Sequence, residues 1–270
     1  MTAESSERSD LLARVLVGAP ALAVAVALVW LGGVAFAAAL VLLGAACLYE
    51  LFELYAADRM ALPAALLALA ALLAAAQFGG HEQILLALVA AVPLTFIVTL
   101  FITRGGTFGI ALTVLGIVWI GLALAHAVLL RRLPHGEGIV LDVLAGTFVG
   151  DSFAYLGGRA FGRHRLAATI SPNKTVEGLV IGLVSAVLAV WVASRFESWL
   201  PTGDALLLGL GIAISAPLGD LFESYVKRDA GAKDTGRLFG AHGGALDRLD
   251  AVLFAAVTSY YVWHAILVAR

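Results

Sequence analysis

Charge is what this 270-residue sequence has least of. Asp, Glu, Lys and Arg together make 13% of it and hydrophobic residues make 61%, where a soluble domain carries roughly a quarter charged residues. That scarcity excludes an ordinary soluble fold. Cysteine is nearly absent: Cys47 stands alone in an apolar run, so neither an internal disulfide nor a thiolate metal site can be built within the chain. There is no excess of positive charge either. The net charge is −2 and the basic residues are scattered through short loops, which gives no face for nucleic acid. The opening MTAESSERSD has no basic leader and no small-residue cleavage site, so the first apolar run is expected to be retained. A Walker-type loop and a dinucleotide fingerprint are both missing.

What is present is hydrocarbon in long blocks. Runs long enough to cross a bilayer, about 20 residues each, fall at 12–31, 34–56, 61–78, 83–102, 107–130, 139–158, 174–195, 203–226 and 250–268. They are continuous and rich in Ala, Leu and Val, without the alternation of an outer-membrane barrel. The expected fold is therefore an all-α polytopic bundle of about nine transmembrane helices. Residues 1–135 form an N-terminal region of about five spans with only hydropathy to report, and 136–270 form a C-terminal region whose loops carry the chemistry. Of the 17 Lys and Arg residues, 13 fall on the side of the N-terminus and the loops after the even spans. Only Arg131, Arg132, Arg195 and Arg270 fall on the other. The positive-inside rule puts the N-terminus and the rich loops in the cytoplasm and the C-terminus outside.

Charge is concentrated as well as scarce. Asp151–Gly178 holds six charged residues and Gly219–Asp250 eleven, together 17 of the chain's 36 within 60 positions. Ionisable groups at a bilayer are costly and mark functional sites. In the second window Asp220, Glu223, Ser224 and Lys227 fall at i, i+3, i+4 and i+7, one face of a helix. Such a stripe suits a hard cation and a phosphate, and also a solvated helix end. Asp247 and Asp250, spaced i, i+3 at the start of the last span, project two carboxylates from one face with Arg248 turned away. Paired carboxylates there suit a divalent metal, and helix capping is the other use of Asp247. His242-Gly243-Gly244 supplies backbone that can approach a ligand closely and N–H groups for phosphate oxygens. Lys227, Arg228, Lys233, Arg237 and Arg248 interleave with Asp220, Asp234, Asp247 and Asp250, a mixture that fits a metal–polyphosphate complex better than a purely basic lipid-binding patch.

In the first window, Ser171-Pro172 reads as a helix start, with Ser171 as N-cap, Pro172 at the first helical position and Asn173, Lys174 and Thr175 in the first turn. A helix N-terminus binds phosphate; Lys174 could equally snorkel to lipid headgroups. Asp151 is a ligand for metal or substrate, or a partner for an arginine such as Arg159. Arg159, Arg163, His164 and Arg165 can contact anionic lipid with no catalytic duty.

The pattern Ser224-x-x-Lys227-Arg228-x4-Lys233-Asp234-x-Gly236, followed by His242-Gly243-Gly244-x-x-Asp247-Arg248-x-Asp250, resembles the signature of the phosphatidate cytidylyltransferases, or CDP-diacylglycerol synthases. Asp151-x-x-Ala154-Tyr155 and Ser171-Pro172-Asn173-Lys174-Thr175-x-Glu177-Gly178 also resemble that family, so the likeness covers about the C-terminal half. Two positions depart from it: Gly240-Ala241 where the family has Pro-Gly, and Val176 where it has an aromatic. The resemblance implies a Mg²⁺-dependent reaction of CTP with phosphatidate giving CDP-diacylglycerol and pyrophosphate, within phospholipid biosynthesis, and also a homodimer. It implies Asp220, Asp247 and Asp250 as metal ligands, and Lys227, Arg228, Lys233 and Arg248 with the His242-Gly243-Gly244 loop on the CTP phosphates or the phosphatidate headgroup. Ser171, Asn173, Lys174 and Thr175 would help bind substrate. The attacking phosphate is already anionic, so the absence of a Ser-His-Asp arrangement is no objection. Two other readings stay open: a CTP-dependent polyprenol or dolichol kinase, and an ion-coupled transporter using Asp142, Asp151 and Asp220.

Overall fold

The computed structural model of the chain describes residues 20, 22–55, 62–102, 106–236 and 243–270. The described residues form helices at each of the nine expected positions: α1 (Leu22–Leu31), α2 (Gly33–Leu54), α3 (Leu62–Phe78), α4 (His81–Ile102), α5 (Gly106–Arg132), α6 (Gly136–Phe161), α7 (Val176–Ala193), α8 (Thr202–Asp229) and α9 (Leu246–Ala269). Seven are long and apolar enough to cross a membrane; α1 and α3 are shorter. At 1.5 Å per residue the 17 residues of α3 extend about 25 Å, less than a full hydrocarbon core. Ala64, Ala65, Ala68, Leu69, Leu72, Leu73 and Ala76 are buried along it, so α3 packs among other helices. A π-helical turn, Ile117–Gly121, interrupts α5 and sets Trp119 edge-on to Phe222 of α8, ring centres 4.9 Å apart.

Helix ends sort into two layers. At one end, Arg131 donates to the carbonyls of Val29 and Trp30 and Arg132 to those of Ala76 and Gly79. These arginines at the close of α5 therefore satisfy the orphan carbonyls that end α1 and α3. Gly32 must be glycine there: its φ is +59° and a Cβ would lie 2.7 Å from the Arg131 guanidinium. Arg270 pairs with Asp204 in the same layer. Three of the four cations assigned to the outer side thus have helix-end or carboxylate partners.

The other end holds both charged windows. One expectation fails there. Ser171–Thr175 is not the first turn of a helix but strand β2, paired antiparallel with β1 (Arg165–Ala167) in a short hairpin. Helix α7 begins at Val176, and its N-cap is Thr175, whose Oγ1 accepts the Gly178 N–H at 3.1 Å. The Ser-Pro pair satisfies a local helix-start rule, but Pro172 is equally tolerated in a two-stranded edge, where its missing N–H costs nothing. Glu177 secures the hairpin by accepting the backbone N–H groups of Arg163 and His164 and bonding His164 Nδ1.

Helices α6 and α7 approach at backbone distance because small residues face each other. Gly150 meets Ala186 and the Gly182 carbonyl, and Gly178 meets the Ala154 carbonyl. Without a hydrophobic force between helices in lipid, such small-residue seams supply the packing. Gly182→Val would place a side chain where a Cβ already comes within 2.7 Å of Ala154 Cβ. We expect it to cost about 1–3 kcal/mol of stability through overpacking, read as a lower unfolding midpoint in detergent, with Gly182→Ala milder. Equal stability of all three proteins would refute the seam.

Candidate active site

Helix α8 carries the polar stripe as its spacing required, and the stripe serves two neighbours. Asp220 faces β2, where Lys174 pairs with it, and accepts the Ser224 hydroxyl at 3.4 Å. Glu223 and Lys227 face α9. The Lys227 ammonium lies 2.5 Å from Glu223 and 2.7 Å from Asp247. Glu223 is fully buried and the Lys227 side chain is 13% exposed, so this ammonium is committed to two carboxylates rather than presented to a ligand.

Asp247 is equally engaged. Its Oδ2 accepts the N–H groups of Gly244 at 2.8 Å and Thr235 at 3.1 Å, while Oδ1 takes Lys227. Both N–H groups lie outside α9, so Asp247 ties the residues that flank the preceding loop rather than capping its own helix. The Gly244 N–H that was expected to meet phosphate is directed at Asp247. Gly243 has φ +81°, and a Cβ there would touch the same carboxylate at 2.8 Å. His242 and Arg237 lie outside the described residues.

A cavity of about 560 Å³ opens between α6, α7, α8 and β2. Asp151, Tyr155, Arg159, Ser171, Asn173, Lys174, Thr175 and Asp220 line its polar part. Gly146, Gly150, Gly182, Ala186, Ala213 and Ala216 line the remainder. The residues of β2 thus reach the site although the element they occupy differs from expectation. The electrostatic neighbours of Asp151 are Asp220 and Lys174, not Arg159. Asp250 feels both Asp220 and Asp151, and its Oδ1 accepts the Ala251 N–H at 2.8 Å. Gly219 of α8 rests directly on the Asp250 backbone, which brings Asp220 and Asp250 together. Lys174 and Lys227 are the cations that face this set.

Of the other expected site residues, Arg228 bridges the Ile170 and Ala232 carbonyls, both at 3.1 Å, linking α8 to the hairpin. Lys233, Asp234 and Arg248 are exposed. Asp234 borders a second cavity of about 640 Å³ with Tyr49, Glu50 and Glu53 of α2. Asp142 stands apart, 2% exposed and beside Glu197. Nine residues separate it from Asp151 along α6, about 13 Å at helical rise.

No three His, Cys, Asp or Glu side chains among the described residues are arranged as a cage for one ion. Magnesium does not require one: it is commonly held by one or two carboxylates together with substrate phosphates and water. Mutually repelling Asp151, Asp220 and Asp250 fit that donor chemistry, and Asp247 fits it less readily with both oxygens engaged.

The cytidylyltransferase family model matches residues 12–266. This chain belongs to the cytidylyltransferase family. Among its relatives, an uncharacterized protein, YnbB, of Escherichia coli K12 is 41% identical over 144 residues, 52% of this chain and 48% of that protein. The phosphatidate cytidylyltransferase of Mycobacterium tuberculosis H37Rv is 37% identical over 153 residues, 57% of this chain and 47% of that protein. Phosphatidate cytidylyltransferase 4, chloroplastic, of Arabidopsis thaliana is 40% identical over 126 residues, 46% of this chain and 32% of that protein. The chain spans about half the length, or less, of these curated relatives.

Three contributors to this candidate site were not singled out from sequence: Glu50, Glu223 as a buried partner of Lys227, and Thr235. Glu50 had a signal, a carboxylate inside an apolar run, which by itself marks a function in a membrane protein. Removing the Lys227 ammonium would leave the buried Glu223 carboxylate uncompensated and Asp247 with only its two backbone N–H donors. Lys227→Met should therefore destabilise the protein by about 3–5 kcal/mol, measured by SDS-induced unfolding, and adding Glu223→Gln should recover part of the loss. A Lys227→Met protein as stable as the parent would mean the ammonium is not a structural tie.

Proposed function

We propose that the protein transfers the cytidylyl group of CTP to phosphatidate, giving CDP-diacylglycerol and pyrophosphate, at the cavity between α6, α7, α8 and β2. The observation that carries this reading is the cavity's division into two chemistries. Asp151, Lys174, Asp220 and the polar side chains of β2 line one part, and small apolar residues of α6, α7 and α8 line the other. A phosphate headgroup joined to a diglyceride needs both. The M. tuberculosis and A. thaliana relatives, both phosphatidate cytidylyltransferases by name, support the same substrate class.

In the proposed reaction an anionic oxygen of phosphatidate attacks the α-phosphorus of CTP, the bond to the β-phosphate oxygen breaks, and pyrophosphate leaves. No strong base is required, because the nucleophile is already deprotonated. The protein's work is positioning and charge neutralisation. Lys174 is the side chain best placed to meet a phosphate, exchanging Asp220 for it. Ser171, Asn173 and Thr175 would orient the headgroup, and Arg159 would supply a second cation. Mg²⁺ would be held by Asp220 with Asp250 or Asp151 and would offset charge on the phosphates. Asp247 acts by holding the loop that precedes α9. We place this end of the bundle in the cytoplasm, on the asymmetry of Lys and Arg.

Incubation with Mg²⁺, phosphatidate and CTP labelled at the α-phosphate should move label into the lipid phase with release of pyrophosphate. A lipid kinase would leave the label in CDP, and a transporter would turn over neither substrate; either result overturns the proposal. Lys174→Ala should raise KM for a substrate about 10-fold or more, the equivalent of one charged hydrogen bond. Unchanged KM for both substrates would reduce Lys174 to a headgroup-facing lysine. Asp247→Asn should lose both turnover and stability.

A further inference from the structure

Helices α6 and α7 are both long and apolar enough to cross a membrane, so the β1–β2 hairpin that joins them lies where hydrocarbon gives way to headgroups. Between Asp151 and Glu177 the sequence has no acidic residue, and it has Arg159, Arg163, His164, Arg165 and Lys174. Lys174 is paired with Asp220. Glu177 spends its oxygens on the backbone N–H groups of Arg163 and His164 and on the His164 ring. Arg159, Arg163 and Arg165 are exposed, and none of them has an ion-pair partner among the described residues. Arg131, Arg132, Arg228 and Arg270 differ from them in meeting carbonyls or a carboxylate of the protein. Phe161, among the three unpaired arginines in sequence, is 66% exposed, and Tyr155 and Leu156 are exposed within two turns back along α6.

Unpaired guanidiniums mixed with exposed aromatic and aliphatic side chains fit an anionic lipid surface better than a nucleotide in water, because amphipathic rings settle at headgroup level while basic side chains meet phosphates. The patch is also continuous with the candidate site, since Tyr155 and Arg159 line its cavity. We propose that the hairpin binds the headgroups of anionic phospholipids and so gathers phosphatidate at the mouth of that cavity. Arg163 and Arg165 do not line the cavity, so they collect lipid without touching the reacting atoms. Recognition is by charge, and other anionic phospholipids therefore compete for the patch. The proposal rests on the cytidylyl-transfer reading for its kinetic consequence, and on the exposed, unpaired charge alone for lipid binding.

Each basic side chain near an anionic surface is worth about a fivefold change in partition. In phosphatidylcholine vesicles, the double variant Arg163→Gln/Arg165→Gln should raise the phosphatidate KM, expressed as mole fraction, about 10-fold or more, with kcat and the CTP KM within about twofold of the parent. Arg163→Lys/Arg165→Lys, which keeps the charge, should match the parent. Added phosphatidylglycerol should raise the phosphatidate KM of the parent and leave that of the glutamine variant nearly unchanged, and about 1 M salt should narrow the gap between the two proteins. Arg163→Gln alone replaces the pair if the double variant does not fold. An unchanged phosphatidate KM would overturn the proposal, as would a lysine variant no better than the glutamine one. An equal rise in the CTP KM would also overturn it, by making the patch one that steers nucleotide. If the parent transfers no cytidylyl group, the function proposal fails separately and lipid binding decides alone. Spin-labelled phosphatidylglycerol should then be motionally restricted by the parent at least about twofold more than spin-labelled phosphatidylcholine, and less so by the glutamine variant; the same preference in both proteins overturns the patch.

Discussion

The ammonium of Lys227, enclosed by Glu223 and Asp247, is the tie on which the rest of the site depends. It joins α8 to α9 by charge at a point where neither partner could stay ionised alone at reasonable cost. With Asp247 fixed, the turn before α9 is fixed through Gly244 and Thr235. With α8 fixed against α9, Gly219 comes to rest on the Asp250 backbone and Asp220 stands beside Asp250. A structural ion pair on Glu223 and Lys227 thus stands one turn along α8 from Asp220, which faces the candidate site.

Much of this could be read from residues alone. Nine apolar runs became nine helical positions because length and hydropathy act locally. The two charged windows came together at one end because antiparallel spans leave alternate loops on alternate sides. The polar stripe of α8 held because helical spacing is a local property. What could not be read depended on partners distant in sequence. Lys227 looked like a phosphate ligand because Asp247, twenty positions on, could not be seen to reach it. Ser171-Pro172 matched a helix start by its neighbours alone, and pairing with Arg165–Ala167 decided otherwise. Glu50 stood in an apolar run with Glu53 one turn on and no counter-charge close by in sequence, and its partners appear only where residues 235 and 244–246 close around it.

The membrane explains why these arrangements are so fully satisfied. In lipid an unpaired polar group has no water to turn to, so donors and acceptors at helix ends must find protein partners. Arg131 and Arg132 meet the carbonyls ending α1 and α3, Glu50 meets the N–H groups beginning α9, Asp247 meets those of Gly244 and Thr235 just outside it, and Trp263 donates to the Pro134 carbonyl at 2.9 Å. The two arginines and Glu50 are caps supplied from outside the helices they close, which joins secondary structure and tertiary packing in a single contact.

Tyr55 extends this logic beyond the end of α2. Its hydroxyl donates to Asp229 Oδ2 at 2.9 Å at the close of α8, and burial, then the bond to Asp229, pushes it up to about 12, so it remains a donor at neutral pH. The same helix that offers Glu50 therefore also grips the far side of the segment leading out of α8. The two halves of the chain are consequently not interchangeable modules: transplanting the last four helices onto a different set of N-terminal spans would carry over the residues lining the candidate site while leaving behind the grip that Glu50 and Tyr55 supply.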